Sequence, residues 1–145
     1  MASVFERIIA GELPAHFVWR DDLSVAFMSI RPLRPGHTLV VPMDPVDHWV
    51  DLPVDVLAHL MRVARRIARA QQTVYCPTKV GLLIAGLEVD HVHIHVSPIN
   101  NLHDMDFARV GPNPGDQVLA TEASRIRAVL SKTGTSGKRT RGANV

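Results

Sequence analysis

The chain has 145 residues, 46% apolar and 21% charged, which suits one soluble globular domain with its own core. No apolar run approaches the roughly 20 residues a membrane helix needs, and Glu6, Arg7 and Glu12 break up residues 1–18, which argues against a signal-peptide core. The formal net charge is only +2, and the lone cysteine, Cys76, allows no disulfide within the chain, so a cytoplasmic location is expected.

Residues 4–10 read as a short helix with Val4, Phe5, Ile8 and Ile9 on one side. Gly11 and Pro14 end it. Residues 16–20 and 24–29 read as two strands joined at Asp21-Asp22. Residues 31–36 hold Pro32, Pro35 and Gly36 and read as a loop. Residues 37–41 are β-branched and apolar, a buried strand that Pro42 closes. Asp51 can cap a helix with Pro53 in its first turn. Leu57, Leu60, Ala64, Ile67 and Ala68 then recur at helical spacing to about Gln72, with Arg62, Arg65, Arg66 and Arg69 on the solvated side.

Residues 80–85 and 89–96 read as adjacent strands, with Gly86-Leu87-Glu88 as their turn. Residues 97–114 look irregular. A last helix spans about residues 115–131, with Val118, Ala123, Ile126 and Leu130 on one side. From Lys132 on, a Gly/Ser/Thr-rich tail carries Lys138, Arg139 and Arg141 and no acid. Such a segment is expected to be a disordered tail outside a domain of residues 1–131, and nucleic acid is not the expected partner. The whole reads as an α+β domain: an antiparallel sheet of about five strands with one main helix and a C-terminal helix.

The chemistry sits in Asp90-His91-Val92-His93-Ile94-His95-Val96. On a strand, side chains alternate faces, so His91, His93 and His95 share one face while Val92, Ile94 and Val96 share the other. Neighbouring histidines would have Cα atoms about 6.5–7 Å apart, a row that can surround a phosphate-sized anion. Imidazole titrates near pH 6.5, so one ring can be neutral while its neighbour is charged. A neutral ring is a competent nucleophile toward phosphorus. A cationic neighbour can stabilise developing charge and donate a proton. Two alternatives remain: an exposed polar strand face, or a metal site built on the row.

In these residues the sequence resembles the histidine triad (HIT) superfamily, whose signature is His-φ-His-φ-His-φ-φ with φ apolar; Ser97 departs at the last position. Residues 5–15, the run Val25-Ala26-Phe27-Met28-Ser29-Ile30-Arg31-Pro32, and Pro35-Gly36-His37-Thr38-Leu39-Val40-Val41-Pro42 resemble the family's preceding segments in order. The resemblance spans residues 3–98 and is closest to the Hint-like branch.

Membership implies an αβ meander that dimerises and releases a nucleoside monophosphate from a phosphoramidate, phosphoanhydride or related ester, with no cofactor. The substrate would be AMP-like, a purine nucleotide. The resemblance places the nucleophile on His93, phosphate contact on His95, orientation on His91 and support on His37. It maps the base and ribose pocket onto Val4, Phe5, Ile8, Phe27 and Ile30, residues that read equally well as plain core. Ser29 stands where many members carry an acid that holds the ribose. Leu87 and Glu88 stand where many carry a glutamine and a hydroxyl at the phosphate. Glu88 would repel phosphate unless it faces a cationic leaving group. Ser3 and Glu6 stand where some members have zinc-binding cysteines, so no structural zinc is expected. A nucleotide-binding regulator with little turnover is the alternative that Ser29 and Leu87 motivate.

Overall fold

The computed structural model describes residues 1–136. The chain opens with helix α1 (Val4–Ile9), then the hairpin β1 (Phe17–Arg20) and β2 (Ser24–Met28), then β3 (Thr38–Pro42). Helix α2 (Val54–Tyr75), β4 (Lys79–Leu83), β5 (Ile94–Ile99) and helix α3 (Asp116–Ser136) complete it. The sheet is five-stranded, in the order β1-β2-β3-β5-β4, with every pair antiparallel. No helix among the described residues is long and apolar enough to cross a membrane. Lys138, Arg139 and Arg141 of the expected tail lie outside the described residues.

Short-range chemistry sets the early elements. Ser3 and Glu6 form a capping box on α1: Ser3 Oγ accepts from the Glu6 N–H at 3.1 Å, and Glu6 Oε2 accepts from the Ser3 N–H at 2.7 Å. Asp21 closes the β1–β2 hairpin by accepting from the backbone N–H groups of Leu23 and Ser24, both at 2.8 Å. It also accepts from Trp19 Nε1 at 2.6 Å and meets His59 Nε2 of α2 at 2.8 Å. Burial alone would raise this carboxyl; the donors around it win and hold it down at about 2.

The two faces of the sheet are filled differently. Ala26, Met28, Val40, Ile94 and Val96 pack under α2 and α3, against Leu60, Val63, Ala64, Ile67, Leu119, Ala123 and Ile126. Fully burying one such Leu or Ile contributes about 1.5–3 kcal/mol. On the other face Val25, Phe27, Leu39 and Val41 meet Phe5 and Ile8 of α1 in a smaller cluster.

Several readings differ from expectation, and α3 runs on to Ser136, past the expected end near residue 131 and into the expected tail. The main helix begins at Val54 behind Pro53, because Asp51 belongs to a separate 3-10 turn (Trp49–Asp51). It runs on to Tyr75, where Cys76 in the left-handed region (φ 48°) stops it. On α3 the buried side chain is Leu119, at heptad-like spacing with Ala123, Ile126 and Leu130, while Val118 is exposed. The last strand begins at Ile94 rather than residue 89 and continues to Ile99, so residues 84–93 form a loop longer than the expected three-residue turn.

Candidate active site

That shift moves two of the three histidines off the strand. His91 and His93 sit on the approach to β5, and only His95 lies within it, opposite Leu39 of β3. The approach is held by the backbone: the Val92 N–H donates to the Val46 carbonyl at 2.8 Å, and Val92 is buried under the helices. The rings still gather on the α1 side of the sheet. His93 lies 4.9 Å from His95 between ring centroids, and Phe5 packs edge-on at 5.0 Å from His93 and 5.8 Å from His91. His37, at the start of β3, joins the row 5.2 Å from His95.

Hydrogen bonds to backbone groups fix which nitrogen of each ring carries the proton. His91 is fully buried, and its Nε2–H donates to the Pro42 carbonyl at 2.8 Å. Its Nδ1 meets Ser3 Oγ at 3.0 Å, so the residue that caps α1 also orients the first histidine. His93 donates from Nδ1 to the His91 carbonyl at 2.8 Å. A carbonyl can only accept, so the proton is on Nδ1 and the lone pair on Nε2. No described group hydrogen-bonds that Nε2, although His93 is only 5% exposed.

The other pair forms a relay. The Leu33 N–H donates to His37 Nδ1 at 3.0 Å, which leaves the His37 proton on Nε2. That proton points to His95 Nδ1, 3.0 Å away, so the neutral His95 ring carries its proton on Nε2. The centre thus sets a nucleophilic nitrogen on His93 beside a donor-bearing ring on His95.

Burial drives all three rings toward neutrality. It pushes His37 down to about 3, helped by the proximity of His95 and His93. It pushes His95 down to about 4, with His93 adding to the effect. It lowers His93 too, against the carbonyl of His91 and the charge of Glu88, which favour the protonated form. The expected standing cation beside a neutral ring is therefore replaced by neutral rings with fixed donors and acceptors.

The other residues singled out by sequence separate into three groups. Phe5, Ile8 and Phe27 form the apolar floor beside the histidines, with Phe5 and Phe27 at 5.6 Å. Val4 and Glu88 line an open cavity of about 630 Å³ together with Ser3, Glu6 and Asp90. This cavity borders the row, since Ser3 holds His91 and the charge of Glu88 acts on His93. Ser29 is half-buried, and its N–H donates to the His37 carbonyl at 2.9 Å. Ile30 and Leu87 are 58% and 90% exposed and belong to neither apolar cluster.

Sequence reasoning missed three contributors. Phe107, from the stretch read as irregular, lies edge-on to His95 at 4.7 Å. The Leu33 N–H and the Ser3 hydroxyl complete the set. Only Ser3 left a signal, the Ser-x-x-Glu spacing of a capping box. Among the described residues no group of three His, Cys, Asp or Glu side chains is placed to hold a metal ion.

The chain is similar to known proteins. An uncharacterised HIT-like protein of Mycobacterium tuberculosis is 36% identical over 114 residues, covering 75% of this chain and 79% of its own length. The adenosine 5'-monophosphoramidase of Saccharomyces cerevisiae is 35% identical over 98 residues, covering 67% of this chain and 62% of its own. A Zn-bound histidine triad family protein from Mycobacterium smegmatis superposes with a TM-score of 0.81 at 27% identity, covering 94% of this chain and 98% of that one. The HIT domain family model matches residues 10–104, a span that takes in all five strands and the whole histidine run. By fold, by sequence and by the residues at its centre, the chain belongs to the histidine triad family.

Proposed function

We propose that this protein releases a nucleoside monophosphate, AMP-like, from a phosphoramidate or a related phosphoanhydride or ester, through a covalent nucleotidyl-His93 intermediate. The observation that carries this reading is the His93 Nδ1–H bond to the His91 carbonyl, which leaves Nε2 neutral and unpartnered beside His95. The yeast relative's activity supports the same class of reaction.

In the first half-reaction the Nε2 lone pair forms an N–P bond, the P–N or P–O bond to the leaving group breaks, and the leaving atom takes a proton from His95 Nε2. Water then attacks phosphorus, its proton returns to His95, and the Nε2–P bond breaks to free the nucleotide. His37 holds His95 in the donor tautomer, and His91 fixes the carbonyl that orients His93. Phe5, Ile8, Phe27 and Val4 supply an apolar seat for the base, with Ser29 and Ile30 at its border.

Two further parts belong to this reading. Copies of the chain pair, supported by the free edge of β4 and by an apolar groove of about 430 Å³ beside it that includes Met61 and Leu82. The setting is cytoplasmic, in keeping with the single free cysteine, Cys76. Light scattering on the eluting protein should give twice the 16.0 kDa chain mass.

The deciding experiment follows AMP release from adenosine phosphoramidate by chromatography. The wild-type protein should turn over and His93→Ala should not. Release that survives the substitution removes His93 as nucleophile. AMP binding by calorimetry with no release from any substrate would favour a nucleotide-binding regulator.

A further inference from the structure

Gln71 is fully buried in the helix-side core, on the same face of α2 as Ala64 and Ile67. A side-chain amide there is costly unless it is hydrogen-bonded. Its Nε2 donates twice: to the Gly36 carbonyl in the turn before β3 at 2.8 Å and to the Val96 carbonyl of β5 at 2.9 Å. Its Oε1 has no hydrogen-bond partner among the described residues. Gly36 precedes His37, and Val96 follows His95, in strands that pair Thr38 with Val96. One amide therefore joins the backbones that carry the two hydrogen-bonded rings.

Gly36 is gripped at each of its atoms. Its carbonyl also accepts from Thr38 Oγ1 at 2.9 Å. Its N–H favours the ionised form of the Glu122 carboxyl of α3, against the rise that burial causes there. Its Cα lies against the Tyr75 ring so closely that an added Cβ would fall 2.3 Å from Cε2, and its φ is +93°. Side chains of α2 and Thr38 of β3 thus hold the residue before His37, while the His37 N–H and carbonyl are held by Arg34 and Ser29.

We infer that Gln71 is a positioning residue, which sets from the far face of the sheet the His37–His95 geometry that keeps the His95 proton on Nε2. This rests on the proposed part of His95 in proton transfer. A purely structural glutamine would affect stability alone. A positioning one also governs the tautomer of His95 and the rate.

Nitrogen-15 NMR of the imidazoles, on full-length wild type and Gln71→Met, separates the two. At neutral pH wild-type His95 should show one tautomer, protonated on Nε2. In Gln71→Met it should show both, and its titration should move up toward the ordinary value. The kcat for AMP release should fall by about tenfold, part of the 10²–10⁴ that a placed acid–base group supplies, with KM held within about twofold. A lower melting temperature with His95 signals and kcat unchanged overturns the inference. If Gln71→Met does not fold, Gln71→Asn, whose shorter amide cannot reach both carbonyls, is the second variant; it should shift the His95 signals in the same direction, and unchanged signals there are equally fatal. If wild type releases no AMP, the phosphoramidase reading fails on its own, while the NMR comparison still decides the case of Gln71.

Discussion

The two faces of the sheet solve opposite problems. The helix side is closed by long apolar side chains from α2 and α3, and its large buried polar exception, Gln71, spends its amide protons on the carbonyls of Gly36 and Val96. The histidine side is closed by the short helix α1 and a small cluster around Phe5 and Phe27. There the buried rings of His91, His93 and His37 take the place of apolar residues, and each is held through backbone acceptors or donors. The helix side gains stability from packing. The histidine side gives some up for rings whose protons are placed in advance.

This contrast can be broken by exchanging the kind of damage done to each face. The largest effect belongs to His93→Ala, which should cut AMP release about a thousandfold or more while costing only about 1–2 kcal/mol of stability. Its counterpart is Ile67→Ala under the helices, where Ile67 is fully buried. That change should cost about 2–5 kcal/mol by denaturant unfolding and leave kcat within about threefold. A helix-side truncation that abolished turnover in a folded protein would erase the distinction.

Gly36→Ala comes next, because it touches both faces. The new methyl meets the Tyr75 ring at a backbone angle that suits glycine, so about 1–3 kcal/mol should be lost. The His95 signals should move along with the melting temperature.

Acid sharpens the comparison, because the shifted histidines lie on one side only. Their folded-state values fall below the ordinary 6.5, to about 4 for His95 and about 3 for His37, so the unfolded chain binds these protons first. The folded state is favoured fully above about pH 6.5 and loses that advantage as pH falls through the range down to about 4 and then 3. The melting temperature should therefore drop across this window, and His37→Asn should make the slope shallower. The smallest effect concerns the open cavity. Glu88→Gln should lower turnover of a lysine-linked nucleotide by about twofold to fivefold relative to a neutral amine, as suits an exposed charge. An unchanged ratio would separate Glu88 from leaving-group choice.

Much of the fold was legible because local rules and tertiary packing agree. The short first helix before Gly11, the Asp21 hairpin and the Pro42 stop all depend on contacts within a few residues. The histidine run misled on one point. Alternation of His with Val or Ile reads as a strand from residue 89, yet pairing begins only at Ile94, opposite Val40. Alternation reports which side chains are buried on which face, and an extended approach held by Val46 satisfies it as well as a ladder does. The same run correctly placed Val92, Ile94 and Val96 beneath the helices. Tautomers left no trace in the sequence, since the Leu33 amide and the Pro42 and His91 carbonyls are backbone groups that any residue would provide. Gln71 looked like an ordinary residue near a helix end, and only the structure places it between two strands.

The relay that starts at the Leu33 amide has one further effect. Because each link can be made in only one sense, the chain from Leu33 through His37 has a polarity and ends with a proton to give on His95, while the separate bond of His93 to the His91 carbonyl leaves an accepting nitrogen beside it. In the proposed reaction folding selects the acid and the base, and bulk pH does not. A catalyst wired in that way need not sit near the midpoint of a titration to work, and its rate should run level across neutrality where a single unassisted imidazole would slope.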